Sequence, residues 1–304
     1  MQRARFAGVV VAIATIALLG ACSSPSKPAP QAPPSTGGHD DVAGRDDEDE
    51  PPPLLPSGPI GDGGNRRIRT FDVAKRELLR IYGMKPSDHA PQDPRAKLDL
   101  YCGCPFSPEP GKGLHVDLVT CGYVPARDPK RAERIEWEHA VPASWFGRTF
   151  KEWTEGDDRC VDSKGKRFKG RTCARRNAEF AREEADLHNL FPVVGEVNGL
   201  RSDLPMGLPV PGRRPDKNVF RFGKCTSVIE SGVFLPPKDV RGDLARAHLY
   251  MNAAYPDRKL LDEERRALMQ RWSEEDPPDA WELERNRAIT AVQGNANTFI
   301  EERR

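Results

Sequence analysis

Two short segments of the sequence combine acidic, histidine and asparagine side chains with apolar neighbours. Residues 135–143 read Ile-Glu-Trp-Glu-His-Ala-Val-Pro-Ala, and residues 185–202 begin Ala-Asp-Leu-His-Asn and end Glu-Val-Asn-Gly-Leu-Arg-Ser. Polar groups in such surroundings are usually either buried and hydrogen-bonded or assembled into a functional site. The residue types therefore indicate a candidate site, and a buried structural role is the alternative for each residue.

Hydrolysis of a phosphodiester bond needs three kinds of group, and the sequence offers a candidate for each. A base must activate water, and histidine titrates near neutral pH, which points to His139. A hard divalent cation prefers oxygen ligands, which Glu138 and Asn198 carry. An arginine such as Arg171 can hold phosphate oxygens through paired N–H groups. Spacing alone does not distinguish this set from an ordinary Glu-His pair.

A strand is predicted over residues 134–139, and its geometry restricts how two of these residues can share a site. Adjacent strand residues point to opposite faces, so Glu138 and His139 can act together only where the strand ends or twists. Pro142 follows three residues later and favours such an ending. We therefore expect the site at the end of this strand.

Hydrophobic spacing and turn residues predict a mixed series of helices and short strands. Helices are predicted over residues 71–82, 178–190, 239–255 with an Asp cap, 263–272 and 280–292. Strands are predicted over residues 98–102, 115–123, 134–139, 219–222 and 226–233, and residues 159–176 are predicted to form a basic loop. This order is neither a regular βαβ series nor all strands, so the predicted fold class is α+β.

Several separated motifs, in one order, resemble the endonuclease I family of bacterial periplasmic or secreted nucleases. The central ones are Glu-Trp-Glu-His-x-Val-Pro-Ala from residue 136, Gly-Arg-x-Cys from residue 170, and Asp-Leu-His-Asn-Leu-x-Pro-x-x-Gly-Glu-Val-Asn-Gly-x-Arg-Ser from residue 186. Tyr-Cys-Gly-Cys from residue 101, Thr-Cys-Gly-Tyr from residue 120 and Trp-Glu-x-Glu-Arg-Asn from residue 281 extend the resemblance to about residues 75–297. Ordered motifs of this kind are far more specific than any one of them.

The resemblance implies an α+β fold of mixed helices and short strands around a ββα-metal (His-Me finger) nuclease motif. Position by position, it makes Glu138 and Asn198 metal ligands, His139 the general base, Arg171 the phosphate-binding residue, and Glu136 a residue that orients the base or metal-site water. The implied cofactor is Mg²⁺ or another divalent cation such as Mn²⁺ or Ca²⁺. The implied reaction is in-line attack on phosphorus by water that His139 activates, which leaves a 5′-phosphate on DNA and, in many members, on RNA.

Other polar residues of these motifs are predicted to be structural. Asp186 and His188 are interpreted as links between a helix and the sheet, with a direct catalytic role as the alternative. The loop over residues 160–173 is longer and more basic than the family pattern, through Lys164, Lys166, Arg167 and Lys169. This loop is either a solvated surface or a source of extra phosphate contacts.

The sequence has six cysteines beyond Cys22, an even number that in an exported chain predicts disulfides. The candidates are Cys102, Cys104, Cys121, Cys160, Cys173 and Cys225. Cys160 and Cys173 flank the basic loop and are predicted to pair with each other. The alternative is a zinc site formed by Cys102, Cys104, Cys121 and His115, although a Cys-x-Cys spacing is not the usual one.

The N-terminus has the pattern of an export signal. Arg3 and Arg5 precede an apolar run over residues 6–19, which is too short to span a bilayer comfortably. The sequence Leu-Gly-Ala-Cys that ends at Cys22 resembles a bacterial lipobox, so residues 1–21 are predicted to be a lipoprotein signal peptide and Cys22 the lipidated residue. Serine after Cys22 resembles the outer-membrane sorting pattern. The alternative is an ordinary cleaved signal with an incidental cysteine.

Residues 22–65 are predicted to be a disordered, proline-rich and acidic tether before a catalytic domain over residues 66–304. The acidic run over residues 46–50 is interpreted as a solvating segment, or as one that repels phosphates or masks a basic cleft. The whole chain has 304 residues and a formal net charge of +1, whereas residues 66–304 carry 43 basic and 38 acidic side chains. This balance excludes a uniformly basic nucleic-acid coat and is compatible with a polyanionic substrate.

The sequence thus predicts a metal-dependent, sequence-non-specific endonuclease, exported and anchored to the cell envelope by a lipid on Cys22. Its expected partners are DNA or RNA, bound through phosphates, and a membrane, and the protein is expected to be a monomer facing the periplasm or the exterior. Two other functions stay open. One is a non-catalytic envelope lipoprotein that uses the same fold as a binding module, and the other is a phosphodiesterase of small substrates.

Overall fold

The computed structural model describes residues 63–87, 91–208 and 219–300. The predicted signal peptide, the lipidation site Cys22 and almost all of the predicted tether lie outside these residues, so they stay predictions. None of the helices within the described ranges is long and apolar enough to cross a membrane. Asn65, the last residue of the predicted tether, is already packed, because its side-chain amide donates to the carbonyls of Ile68 and Arg182.

The predicted α+β class is confirmed. The helices are α1 (Phe71–Ile81), α2 (Leu118–Cys121), α3 (Pro129–Ala132), α4 (Ala143–Gly147), α5 (Lys151–Thr154), α6 (Arg171–Ala174), α7 (Ala178–Glu184), α8 (Gly195–Arg201), α9 (Arg241–Ala254), α10 (Glu263–Glu275) and α11 (Ala280–Gln293). The strands are β1 (Phe106–Glu109), β2 (Gly113–Val116), β3 (Ile135–His139), β4 (Leu190–Val194), β5 (Phe220–Phe222), β6 (Cys225–Glu230) and β7 (Val233–Leu235).

Two strands and a helix at the centre of the described chain position the candidate site. β3 pairs antiparallel with β4, with His139 opposite Leu190 and Ile135 opposite Val194, and α8 begins directly after β4. All five residues of β4 are buried. This β3-β4-α8 unit is consistent with the expected ββα motif. The remaining described strands form the β1-β2 hairpin and the β5-β6-β7 sheet.

β4 corrects one prediction, because residues 178–190 were expected to be a continuous helix. The helix ends at Glu184, a short 3-10 turn spans Leu187–Asn189, and the strand follows. Pro192 is tolerated there because a two-stranded sheet leaves the outer edge of β4 without a partner strand that needs its N–H. The carbonyl of Pro192 accepts the backbone N–H of Leu100 at 2.9 Å instead.

The predicted helix at residues 71–82 is confirmed as α1. The hydroxyl of Thr70 caps it by accepting the N–H of Val73, and Ala74, Leu78 and Ile81 are its buried face. This face packs into a core cluster that also contains Leu187 and Ile289. α1 is therefore held firmly against the elements that carry the candidate site.

Several further local predictions are wrong. The strand predicted over residues 226–233 is divided between β6 and β7, and the loop predicted over residues 159–176 contains α6. Residues 98–102 form a turn rather than a strand, because the carboxylate of Asp99 accepts the N–H groups of Tyr101, Cys102 and Cys104. Residues 115–123 divide into the end of β2 and the helix α2. α9 begins at Arg241 after a short 3-10 turn, and no side chain caps it, so the expected cap at Asp239 is absent.

All six cysteines beyond Cys22 form disulfides, as predicted. The pairs are Cys102–Cys225, Cys104–Cys121 and Cys160–Cys173. The expected pairing of Cys160 with Cys173 is confirmed. The zinc alternative is wrong, because the three sulfur atoms that it requires are all bonded to other sulfur atoms.

Candidate active site

β3 presents its glutamates and its histidine to opposite sides of the sheet. Glu136 and Glu138 face α8, where they contact Asn198 and Arg201 respectively. His139 faces the other way, toward α1 and the end of α7. Glu138 and His139 are the last two residues of β3 and face opposite sides of it, as the alternation of strand residues requires.

Glu138 uses one carboxylate oxygen for both of its described hydrogen bonds. Arg201 Nη1 donates to Oε1 at 2.9 Å, and the hydroxyl of Tyr101 donates to the same oxygen at 3.2 Å. Burial raises the pKa of the Glu138 carboxyl, and the charge of Arg201 opposes that effect. Among the described residues no hydrogen bond reaches Oε2, which is thus available as a ligand.

The amide of Asn198 is oriented by Glu136. Asn198 Nδ2 donates to Glu136 Oε2 at 2.9 Å, which leaves Oδ1 without a hydrogen bond from any part of the chain that the structure describes. Arg131 holds the same carboxylate through Nε at 2.9 Å and Nη2 at 2.7 Å, and Arg134 Nε donates to it at 3.1 Å. Glu136 thereby fixes which atom of the Asn198 amide can bind a ligand.

Two side-chain oxygens without a described hydrogen bond have the donor chemistry that a hard divalent cation prefers. Glu138 Oε2 and Asn198 Oδ1 are both oxygen atoms, and Mg²⁺ commonly takes one or two protein oxygens while it keeps several waters. Within residues 63–87, 91–208 and 219–300, no cluster of three or more His, Cys, Asp or Glu could hold a metal ion. One carboxylate and one amide would not form such a cluster, so this donor set favours a cation that remains largely hydrated.

His139 is 5% exposed, and a main-chain carbonyl fixes its orientation. Its Nε2 lies 2.8 Å from the carbonyl oxygen of Glu184. Because a carbonyl can only accept, the neutral ring must carry its proton on Nε2, which leaves the lone pair on Nδ1. Burial, and then the nearby charge of Arg171, lowers the pKa of His139 to about 3. The ring is therefore neutral at pH 7 and can accept a proton at Nδ1.

The same Glu184 joins His139 to two arginines. Its carboxylate accepts hydrogen bonds from Arg171 Nε and from Arg175 Nε, the latter at 2.8 Å from Oε2. Burial alone would raise the pKa of Glu184, but the two guanidinium groups outweigh burial and hold it below its ordinary value. Arg171 Nη2 is buried and has no hydrogen-bond partner among the residues that the structure describes. This unsatisfied donor would be satisfied by an oxygen of a bound anion.

Arg201 connects the two sides of the site. Its guanidinium is fully buried, and its Nη1 donates both to Glu138 Oε1 and to the carbonyl of His139, the latter at 2.8 Å. Its Nη2 donates to the carbonyl of Ala140 at 2.6 Å. Within the described chain, no direct hydrogen bond joins the side chain of His139 to Glu138 or Asn198. Arg201 instead bonds both to the Glu138 carboxylate and to the main chain of His139 and Ala140, and so ties α8 to the end of β3.

Sequence reasoning missed three of these contributors. Arg201 lies in the motif that begins at residue 186, one helical turn after Asn198. That spacing was the sequence signal for an arginine close to a candidate ligand. Tyr101 likewise lies in the Tyr-Cys-Gly-Cys motif. Glu184 acts on His139 through its backbone carbonyl, and no residue type identifies that contact. Asp186 and His188 are buried, and Asp186 accepts hydrogen bonds from Tyr250 and Tyr255, which is consistent with the structural role expected for it.

Comparison with known proteins gives one consistent result. The profile of the Endonuclease I family matches residues 75–303. A periplasmic deoxyribonuclease of Aeromonas hydrophila is 39% identical over 243 residues, which cover 78% of this chain and 87% of the relative. An extracellular deoxyribonuclease of the same organism is 39% identical over 241 residues, covering 77% and 89%.

A more distant relative agrees with these two. Endonuclease-1 of Buchnera aphidicola subsp. Acyrthosiphon pisum is 34% identical over 238 residues, which cover 77% of this chain and 82% of the relative. The matched region runs well beyond both ends of the site described above, which extends from Tyr101 to Arg201. The chain belongs to the endonuclease I family and is a hydrolase that acts on phosphodiester bonds.

Proposed function

We propose that this protein is a divalent-metal-dependent endonuclease that cuts DNA without sequence preference. The observation that carries the proposal is the orientation of His139, whose Nε2 faces the Glu184 carbonyl so that Nδ1 is the proton acceptor. A neutral, oriented imidazole at the end of a strand suits activation of water for attack on phosphorus, and the residue before it, Glu138, offers an oxygen to a hard cation.

His139 acts as the general base in the proposed reaction. Its Nδ1 takes a proton from water while the water oxygen forms a bond to phosphorus. The bond from phosphorus to the 3′ oxygen breaks, and that oxygen takes a proton from the solvent. The products are a 5′-phosphate and a 3′-hydroxyl. Arg171 holds a non-bridging phosphate oxygen, and its unsatisfied Nη2 supports this role.

Glu138 and Asn198 would hold the cation, and their two available oxygens support that assignment. A divalent cation bound there supplies positive charge to the phosphate and the leaving oxygen. Mg²⁺ is the proposed ion, with Mn²⁺ or Ca²⁺ as alternatives. Glu136 keeps the Asn198 amide oriented with its oxygen outward, which supports its role as an orienting residue.

DNA is the proposed substrate because the relatives are named deoxyribonucleases. RNA is a second proposed substrate. The bond that breaks lies in the sugar–phosphate backbone that both polymers share. Contacts to phosphates alone give a binding constant that falls steeply with salt concentration.

Export to the periplasm or the exterior is supported by the names of the same relatives, which are periplasmic or extracellular. Three disulfides also suit an oxidising compartment. Within this proposal Cys22 carries a lipid that anchors a monomeric enzyme in the outer membrane. Labelling with a radioactive fatty acid tests the anchor, because the Cys22→Ser chain would take up no label.

Plasmid degradation with and without EDTA tests the proposed activity. Wild-type protein is expected to cut supercoiled plasmid in Mg²⁺, to stop in EDTA, and to lose activity by about 10²–10⁴-fold in His139→Ala. Absence of cutting by folded wild-type protein would favour the non-catalytic lipoprotein. Cleavage of a model diester without cleavage of plasmid would favour a phosphodiesterase of small substrates.

A further inference from the structure

Phe71, the first residue of α1, lies against the proposed base. Its ring centroid is 5.2 Å from that of His139, and the two ring planes differ by 28°, which is a stacked arrangement. The next ring around the imidazole is Phe146, at 6.5 Å and tilted by 52°. His139 therefore has two aromatic neighbours, of which Phe71 is the nearer and the more nearly parallel.

The same ring contacts the cationic side of the site. The guanidinium carbon of Arg171 lies 5.3 Å from the centroid of Phe71, and that of Arg175 lies 5.6 Å away. Lys75 Nζ, one turn along α1, lies 5.3 Å from the same centroid. Cations at such distances are attracted by the negative face of an aromatic ring. One half-buried side chain thus contacts the proposed base and the proposed phosphate-binding arginine together.

The hydrogen bond of the His139 ring leaves one rotation of that ring free, and Phe71 can restrict this rotation. A single contact from Nε2 to the Glu184 carbonyl sets the direction of the ring but allows the ring plane to rotate about that direction. The direction in which the Nδ1 lone pair points depends on this rotation. A parallel ring packed on one face opposes the rotation, and α1 holds Phe71 rigidly because Ala74, Leu78 and Ile81 are buried.

We propose that Phe71 is a positioning residue for hydrolysis of the phosphodiester bond. Its ring sets the plane of the His139 imidazole and the distance between that imidazole and the Arg171 guanidinium. This inference rests on the proposed function. Phe71 touches no reacting atom, and it acts through the two residues that do. Neither the sequence motifs nor the hydrogen bonds of the site indicate this role, because the contact is made by stacking alone.

The test compares three purified variants on a fluorescent DNA duplex in saturating Mg²⁺. Phe71→Leu keeps an apolar side chain but removes the ring, and we expect kcat to fall by about tenfold or more because a small misplacement of a base is costly. KM is expected to stay within about twofold, since ground-state binding is spread over many phosphates. Phe71→Tyr keeps the ring and is expected to restore most of kcat.

Val73→Ala is the matched control for a merely structural effect. Val73 is also half-buried on α1 and packs against the same core cluster, without an aromatic contact to His139. Its kcat is expected to match the wild type at a temperature where all variants are folded by circular dichroism. The inference is overturned if Phe71→Leu keeps full kcat, if Phe71→Tyr is as slow as Phe71→Leu, or if Val73→Ala slows equally. Failure of wild-type protein to cut the duplex would instead contradict the proposed function.

Discussion

Arg201 and Glu138 form an ion pair at 2.9 Å in which both side chains are almost completely buried, at 0% and 5% exposure. Such a pair is costly to desolvate, and removal of one partner leaves an uncompensated buried charge. Here the remaining charge would be a candidate metal ligand. The charge of Arg201 therefore opposes the rise in pKa that burial gives to the Glu138 carboxyl.

Replacement of Arg201 by methionine is expected to lower the free energy of unfolding by about 3–5 kcal/mol, because Glu138 loses its counter-ion. Urea denaturation at pH 7 measures the change. The double variant Arg201→Met, Glu138→Leu removes both charges and should recover a large part of this loss. A double variant that is no more stable than the single variant would show that the ion pair does not explain the effect.

Calorimetry can measure binding of a divalent cation to the proposed ligands without any cleavage assay. Glu138→Gln removes the negative charge of the proposed ligand, so Mn²⁺ or Mg²⁺ binding should weaken by tenfold or more, as order of magnitude. Asn198→Ala should weaken it as well. Glu133→Gln is the control, because that residue is exposed and lies just before β3. Equal affinities for wild type and Glu138→Gln would place the cation elsewhere.

Arg171→Ala is expected to lower kcat/KM on DNA by about 10²-fold, the usual cost of removing one donor that stabilises charge in the transition state. Glu184 keeps Arg175 as a partner in this variant, so the fold should survive. Arg176→Ala, five residues away and exposed, is expected to stay within about threefold of the wild type, since contacts to distant phosphates add little each. Equal losses in the two variants would contradict a specific role for Arg171.

Buried histidine makes stability depend on pH in a definite direction. Burial lowers the pKa of His188 from 6.5 to about 4. Above pH 6.5 the His188 ring is neutral in both the folded and the unfolded chain, so its burial carries no cost of removing a proton. As the pH falls toward 4, His188 binds a proton in the unfolded chain but not in the native one, so the free energy of unfolding falls by on the order of 3 kcal/mol.

The His188→Gln variant should therefore show a shallower fall in stability between pH 6.5 and pH 4.5 than the wild type. Urea midpoints measured at several pH values give the slope. His115→Gln serves as the control, because its side chain is 49% exposed, and it should keep the wild-type slope. Identical slopes for wild type and His188→Gln would refute this explanation.

The sequence predicts α1, α10 and α11 well, because α1 has a clear hydrophobic period and the other two begin after a capping aspartate. It fails at β4, where Leu-Phe-Pro-Val-Val is a continuous apolar run that periodicity cannot assign to a helix or a strand. The run is a strand only because β3 pairs with it. That pairing depends on contacts between residues about fifty positions apart, which local patterns do not contain.

The candidate site shows the same division. His139, Glu138, Asn198 and Arg171 could be named from residue type and motif, although their roles stay proposals. Their supports could not be named, because Glu184 acts through its main chain and Phe71 acts through the angle of its ring. Both contacts are created by packing of α1 and α7 around the end of β3.

The acceptor that faces His139 belongs to the polypeptide backbone, and this has a consequence for how the site can vary. Every amino acid at position 184 brings an identical oxygen, so the choice of imidazole tautomer is insensitive to mutation there. By contrast, replacement of the Glu184 side chain removes the carboxylate that Arg171 and Arg175 share. Substitutions at this one position can therefore change how Arg171 and Arg175 bind an anion, and they shift the pKa of His139 through the same charges, while the tautomer of the imidazole stays fixed.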